Sequence, residues 1–173
     1  MKTRLFLTLT LIVALTGCEL IKDKATIPIS TQLKADVPLV IVTPGAKSVN
    51  AIVFNKSQTL SLADNSDIKP YLEKIKEIDL NSLVVTVTGL TGDQTINSVA
   101  LEVAGVGNVF TQTNITSAYN SFTPSITAGI LDQVAAKLIT DRQITLTLSG
   151  NASGPMSITV SLNFGIDVVA YVL

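Results

Sequence analysis

The chain is predicted to be mainly β, an antiparallel β-sandwich-like domain carrying two amphipathic helices, with an α+β arrangement as the alternative. Three observations predict it. Apolar residues alternate with polar ones at period two in several segments, most clearly over residues 83–88, 96–103 and 156–172. Clusters of Gly, Pro, Asn and Asp separate those segments as turns would. The composition is 47% hydrophobic and only 14% charged, with much of the rest Thr, Ser and Asn, which favours a folded, strand-forming chain over a disordered one.

The first element is not part of that fold. Lys2 and Arg4 precede an apolar run from Leu5 to Leu15, which has the layout of an export signal and is short of the roughly 20 residues a membrane span needs. The run ends in Leu15-Thr16-Gly17-Cys18, with the only cysteine of the chain. This segment resembles the lipobox of bacterial lipoproteins, in which a signal peptidase cuts before the cysteine and the cysteine is acylated. The resemblance implies a leader over residues 1–17, lipidation of Cys18 and membrane attachment in the cell envelope. Acyl chains stabilise that attachment by about 0.8 kcal/mol per buried CH₂, and more than one chain is needed to make it lasting. An unpaired thiol, uncommon in an exported protein, is then accounted for. In the class it resembles, aspartate after the cysteine retains the protein in the inner membrane; Glu19 stands here, so the outer membrane is expected, on either face.

Cleavage leaves 156 residues, a normal size for one domain. Residues 18–35 mix charges, Pro28 and Ser/Thr and are expected to be an acylated N-terminus and tether, with Ile27 and Ile29 opening an edge strand at most and the domain proper at 36–173. Lys2 and Arg4 leave with the leader, so ten basic residues face thirteen acidic ones, a net charge of −3. No basic patch for nucleic acid follows. The chain has no histidine and no tryptophan, which removes the commonest general base and metal ligand and excludes a Ser-His-Asp triad. With Cys18 acylated, thiolate catalysis and Cys/His zinc sites go too, and no cofactor or metal is implied.

Strands are expected at Val37 to Thr43, with Pro38 marking an edge, at Ser48 to Phe54 after the Pro44-Gly45 turn, and at Gln58 to Leu62. Ile68, Leu72, Ile75 and Ile78 recur at helical spacing with charges opposite, predicting a first helix capped by Asp64, Ser66 or Asp67, with Pro70 in its first turn. Leu83, Val85 and Val87, then Val99, Leu101 and Val103, predict an antiparallel hairpin about Gly92-Asp93. Residues 105–124 are looser. Ser125 is expected to cap a second helix with Ile126, Ile130, Val134 and Leu138 on one face. Ile144 to Leu148 and the long alternation from Met156 to Val172 close the chain, with Gly165 as a point of bending and Asp167 on the wet face.

Each candidate for chemistry has a plain structural alternative. Asp64-Asn65-Ser66-Asp67 offers oxygen ligands for calcium but lacks the glycine and distal glutamate of an EF-hand, so a cap explains it better. Glu73 and Glu77 belong to a solvated face, and Gly105-Val106-Gly107-Asn108 lacks the third glycine or the lysine of a phosphate loop. Asp167 is the carboxylate of most interest, because it interrupts an apolar strand. Three N-glycosylation triplets, at Asn55, Asn114 and Asn151, are expected to be chance matches. Tyr71, Phe110, Tyr119 and Phe122 line either a core or a groove, and Phe110, Tyr119 and Phe122 form the candidate partner or ligand patch. The function expected is a membrane-anchored, non-catalytic envelope protein that binds a partner protein or small ligand. A structural or assembly accessory of the outer membrane is the alternative, followed by a hydrolase built on carboxylates.

Overall fold

The computed structural model describes residues 25–42 and 51–172. The expected leader over residues 1–17, the expected lipidation point Cys18 and the expected Pro44-Gly45 turn lie outside the described residues. The strands are β1 (Thr26–Ile41), β2 (Ile52–Ser61), β3 (Ile75–Thr88), β4 (Ile96–Val103), β5 (Gly107–Ile115), β6 (Ser121–Phe122), β7 (Gln143–Ala152) and β8 (Met156–Tyr171). One α-helix, α1 (Ala128–Asp141), enters between β6 and β7, and short 3₁₀ turns at Leu62–Asp64 and Lys69–Lys74 join β2 to β3. Among the described residues no helix is long and apolar enough to cross a membrane.

Two four-stranded antiparallel sheets, ordered β1-β8-β3-β6 and β2-β7-β4-β5, pack face to face. The connectivity has a simple logic. β1 pairs with β8, β2 with β7, β3 with β6 and β4 with β5, the nested pairs of one long folded ribbon. Winding that ribbon on itself brings β3 against β8 and β4 against β7. This is the jelly-roll form of a β-sandwich. Burial drives the closure, because each strand has one apolar face: Val37, Leu39 and Ile41 of β1 and Ile158, Val160, Leu162 and Phe164 of β8 turn inward with Leu101, Leu146 and Leu148 of the other sheet. Among the described residues the buried set contains no polar or charged side chain.

Several expectations are corrected. The residues assigned to a tether, up to Ala35, are strand from Thr26 onward, paired residue for residue with β8; the ordered domain therefore starts about ten residues before position 36. The signal was weak because β1's inner face is only half covered until Leu33. The first helix does not form. Ile75 and Ile78 begin β3, and register shifts between Ile75 and Glu77 and between Leu80 and Ser82 insert an extra residue, so inward positions fall three apart and imitate helical spacing. Of the two helices expected only α1 exists. It begins after Thr127, without a side-chain cap from Ser125, and buries Val134, Ala135 and Leu138.

The expected hairpin between the 83–88 and 96–103 runs is also absent, since β3 and β4 belong to opposite sheets. The hairpin that does form is β4–β5, turning at Gly105 (φ 81°) and Gly107 (φ 104°), which gives the glycine pair a conformational role in place of a phosphate-binding one. Expected as loose, residues 107–115 are strand, with Val109 an extra residue opposite the Leu101/Glu102 step.

Candidate functional site

Edge strands position the site. Just beyond the Thr26–Tyr171 end of the β1–β8 pair the N–H of Val172 donates to Ala25 O at 3.0 Å, so odd-numbered residues of β1 direct their N–H and C=O toward β8 and even-numbered ones turn theirs outward. Pro28 and Pro38 are both even and forfeit only outward donors, the one arrangement in which proline sits in a strand without breaking its ladder. Along the same edge Asn65 Nδ2 donates to Gln32 O at 2.9 Å. Asn65 Oδ1 accepts from Asp67 N at 2.9 Å and Ile68 N at 3.1 Å. The Asp64–Asp67 segment is therefore a turn built on Asn65, and the expected cap by Asp64, Ser66 or Asp67 is corrected: the 3₁₀ turn at Lys69–Lys74 starts from Ile68 with no side-chain cap.

Past Pro38 the edge is uncovered among the described residues. There Pro38, Leu39, Val40, Ile41 and Val42 face Val53, Phe54, Asn55 and Lys56 of β2, the edge strand of the opposite sheet, across a groove of about 550 Å³. Val40, Val42 and Val53 are 74%, 66% and 80% exposed, the three most exposed large apolar side chains among the described residues. Lys56 lies directly across the ladder from the buried Leu148 and so occupies an inward-facing position while staying exposed. Neither ion pair among the described residues involves it. An inward-pointing lysine on an edge strand opposes edge-to-edge aggregation.

The aromatic patch is brought together, but chiefly as core. Phe110 of β5 and Phe122 of β6 are buried and meet edge to face with centroids 6.0 Å apart, closing the far side of the sandwich. Tyr119 stacks on Phe122 at 6.0 Å and is 46% exposed. Only Tyr119 of the three is open to a partner. Tyr71 lies apart from them, in the second 3₁₀ turn.

Asp167 stands on the outer face of β8, opposite Asp79 of β3, and accepts from Asn81 Nδ2 at 3.0 Å. Asp79 is exposed and Asp167 half-buried on this outer face of the sheet. Glu73 and Glu77 fall on different elements, a 3₁₀ turn and β3.

On the same sheet face the Ser161 hydroxyl, donating at 2.6 Å, and the Lys34 ammonium at 3.0 Å hold the Asp36 carboxyl below its ordinary value. A depressed folded-state value contributes stability at pH above the unfolded value of about 3.9 and loses it as pH falls through the folded one. Ser161→Ala is expected to move Asp36 back up, read by carboxyl-carbon NMR titration; an unchanged midpoint would show that the hydroxyl has no hold on it.

Sequence reasoning passed over Val40, Val42, Val53 and Lys56. A signal was present: residues 37–42 are apolar at every position, and in a strand marked as an edge by Pro38 that predicts a second apolar face with nothing of its own sheet beside it.

No family model matches the chain, and no curated protein sequence does. Among solved structures, the chain is similar to a decameric BFDV capsid protein at 9% identity, TM-score 0.49, covering 82% of this chain and 99% of that one. It is also similar to Desmodium yellow mottle tymovirus, at 15% identity, TM-score 0.41, and 86% and 89% coverage, and to turnip yellow mosaic virus, at 11% identity, TM-score 0.40, and 86% and 84% coverage. At these scores they carry no weight for fold or function; the jelly roll rests on the strand order above.

Proposed function

We propose that this is a lipid-anchored, non-catalytic binding domain of the bacterial envelope, which presents the groove between the β1 and β2 edges to a partner protein. One observation carries the proposal: the three most exposed large apolar residues among the described ones all line one groove. Exposed apolar clusters mark interaction surfaces.

Position supports it as well. β1 leads away from Thr26, and Val40 lies 14 residues on, about 45 Å at strand rise. At most about 28 Å of chain separates an acylated Cys18 from Thr26. The groove would thus stand at the end of the domain remote from the bilayer, with β1 as the spacer. The outer membrane is the location favoured by Glu19. An assembly accessory remains the second role, served by the same groove if the partner is a membrane protein.

A photo-crosslinking residue at Val53 in intact cells tests this, with the same residue at Glu102, exposed on β4, as control. A single adduct from position 53, lost on adding Val40→Asp, is expected. Equal labelling from both positions would sink the groove. Mass spectrometry of the purified chain is expected to show a diacylated or triacylated Cys18 as the first residue; an N-terminus downstream of it would remove the anchor.

A further inference from the structure

We infer that the groove takes its partner by strand addition: an extended, apolar, carboxylate-bearing segment pairs with the outward edge of β1 at Val40 and Val42. The inference rests on the groove being the binding surface and adds how it binds and what chemistry it selects.

Three observations lead there. First, β1's phase turns the N–H and C=O of Val40 and Val42 outward, and among the described residues no hydrogen bond takes them. Elsewhere along the edge the same groups are guarded. Pro28 and Pro38 lack the donor, Asn65 occupies the carbonyl of Gln32, and Lys34 and Asp36 place an ion pair on the stretch between. The donors that no described residue takes therefore coincide with the groove. Second, both faces of an added strand meet apolar surface: its inward side chains would lie beside Leu39, Ile41 and Phe54, and its outward ones beside Val40 and Val42. Alternate side chains reading two walls while the main chain supplies affinity is how edge strands recognise extended peptides. Third, among the described residues Lys56 is the only charged one lining the groove and has no acidic partner. A carboxylate, at a C-terminus or on an acidic side chain, is the complementary group.

Two other occupants fit less well. A second copy pairing antiparallel about Val40 would set Pro38 against the partner's Val42, losing a hydrogen bond at each end, and would bring two Lys56 charges to one seam. The chain's own acylated N-terminus leaves from Thr26, about 45 Å away, and the residues back to Cys18 span at most about 28 Å.

The test uses the full acylated chain in detergent micelles and two fluorescent pentapeptides of alternating threonine and valine, one ending in a free carboxylate and one in an amide. Fluorescence anisotropy is expected to show saturable binding with the carboxylate peptide preferred. Val40→Pro removes one outward N–H in the phase where β1 already holds Pro28 and Pro38, so the unfolding midpoint should hold while affinity falls about tenfold, the worth of a lost hydrogen bond with its desolvated partner. Val40→Ala, which keeps the N–H, should weaken binding less, and Lys56→Gln should abolish the preference for the carboxylate. Val42→Pro repeats the test if Val40→Pro unfolds. Wild-type affinity in both proline variants, or no binding of either peptide, overturns strand addition. If Val40→Asp nevertheless abolishes crosslinking from position 53 in cells, the groove survives that failure; if Val40→Asp also leaves crosslinking intact, the groove fails with it. Self-association in sedimentation that Val40→Pro abolishes would give the edge to a second copy and overturn the partner assignment.

Discussion

Phe164→Ala is expected to destabilise the domain by about 3–5 kcal/mol, the range for truncating a large buried aromatic side chain. Phe164 sits on β8, a strand with neighbours on both sides, where its ladder partners are Leu33 of β1 and Leu83 of β3, all three essentially inaccessible to water. Closely packed strands on either side cannot collapse into the void, so transfer and cavity costs add. Against a total stability of about 5–15 kcal/mol, that is a large share of the margin. Urea unfolding should show the midpoint falling at unchanged slope. A loss below about 1 kcal/mol would mean that β8 is not the centre of the sheet.

Gly150→Ala is expected to cost about 3 kcal/mol or more, at the upper end for overpacking, although it adds a single methyl. Gly150 of β7 faces Phe54 of β2 on one side and Val99 of β4 on the other. A Cβ there would run into the Ser98 carbonyl oxygen and lie 2.9 Å from the Phe54 ring. The backbone contact cannot yield without opening the β4–β7 ladder, and the ring that would have to shift is one that lines the groove. The substitution should therefore lower the thermal midpoint and also weaken binding at the groove. Gly165→Ala is the contrast, because its new Cβ would meet the side-chain tips of Asn81 and Ser82, which can turn aside. Equal destabilisation by the two substitutions would contradict this account of Gly150.

Much of the sandwich is visible in local pattern, and the failures share a cause. β8 alternates without fault because a central strand buries every second residue along its whole length. β3 does not, because two bulges shift its phase, and a shifted strand with apolar residues three apart is indistinguishable from a helix over one turn. The Leu83–Thr88 and Ile96–Val103 runs are strands, as their alternation predicts, but not partners: each has one inward face whichever sheet it joins. Gly89, at φ 94° and placed so that a Cβ would lie 2.6 Å from the Ser157 carbonyl oxygen, turns the chain across to the other sheet. Nothing local distinguishes that glycine from one in a hairpin.

The site divides along the same line. Phe110 and Phe122 stand out in the sequence as large aromatics in an irregular stretch, and the two rings do meet, but both complete the core. The valine groove joins residues on two strands that belong to different sheets and never pair.

Residue order alone determined the β class, one face of nearly every strand, the edge character of β1 through Pro38, the absence of histidine chemistry, and an expected acylation point at Cys18. These follow from each residue and its near neighbours, through period, backbone restriction and functional groups. Tertiary structure decided which strands pair, that β1 starts at Thr26, and that Val40, Val42, Val53 and Lys56 share one groove. Those depend on how two sheets close over a common core, a choice made by the summed burial of the whole chain, which no single stretch of sequence encodes.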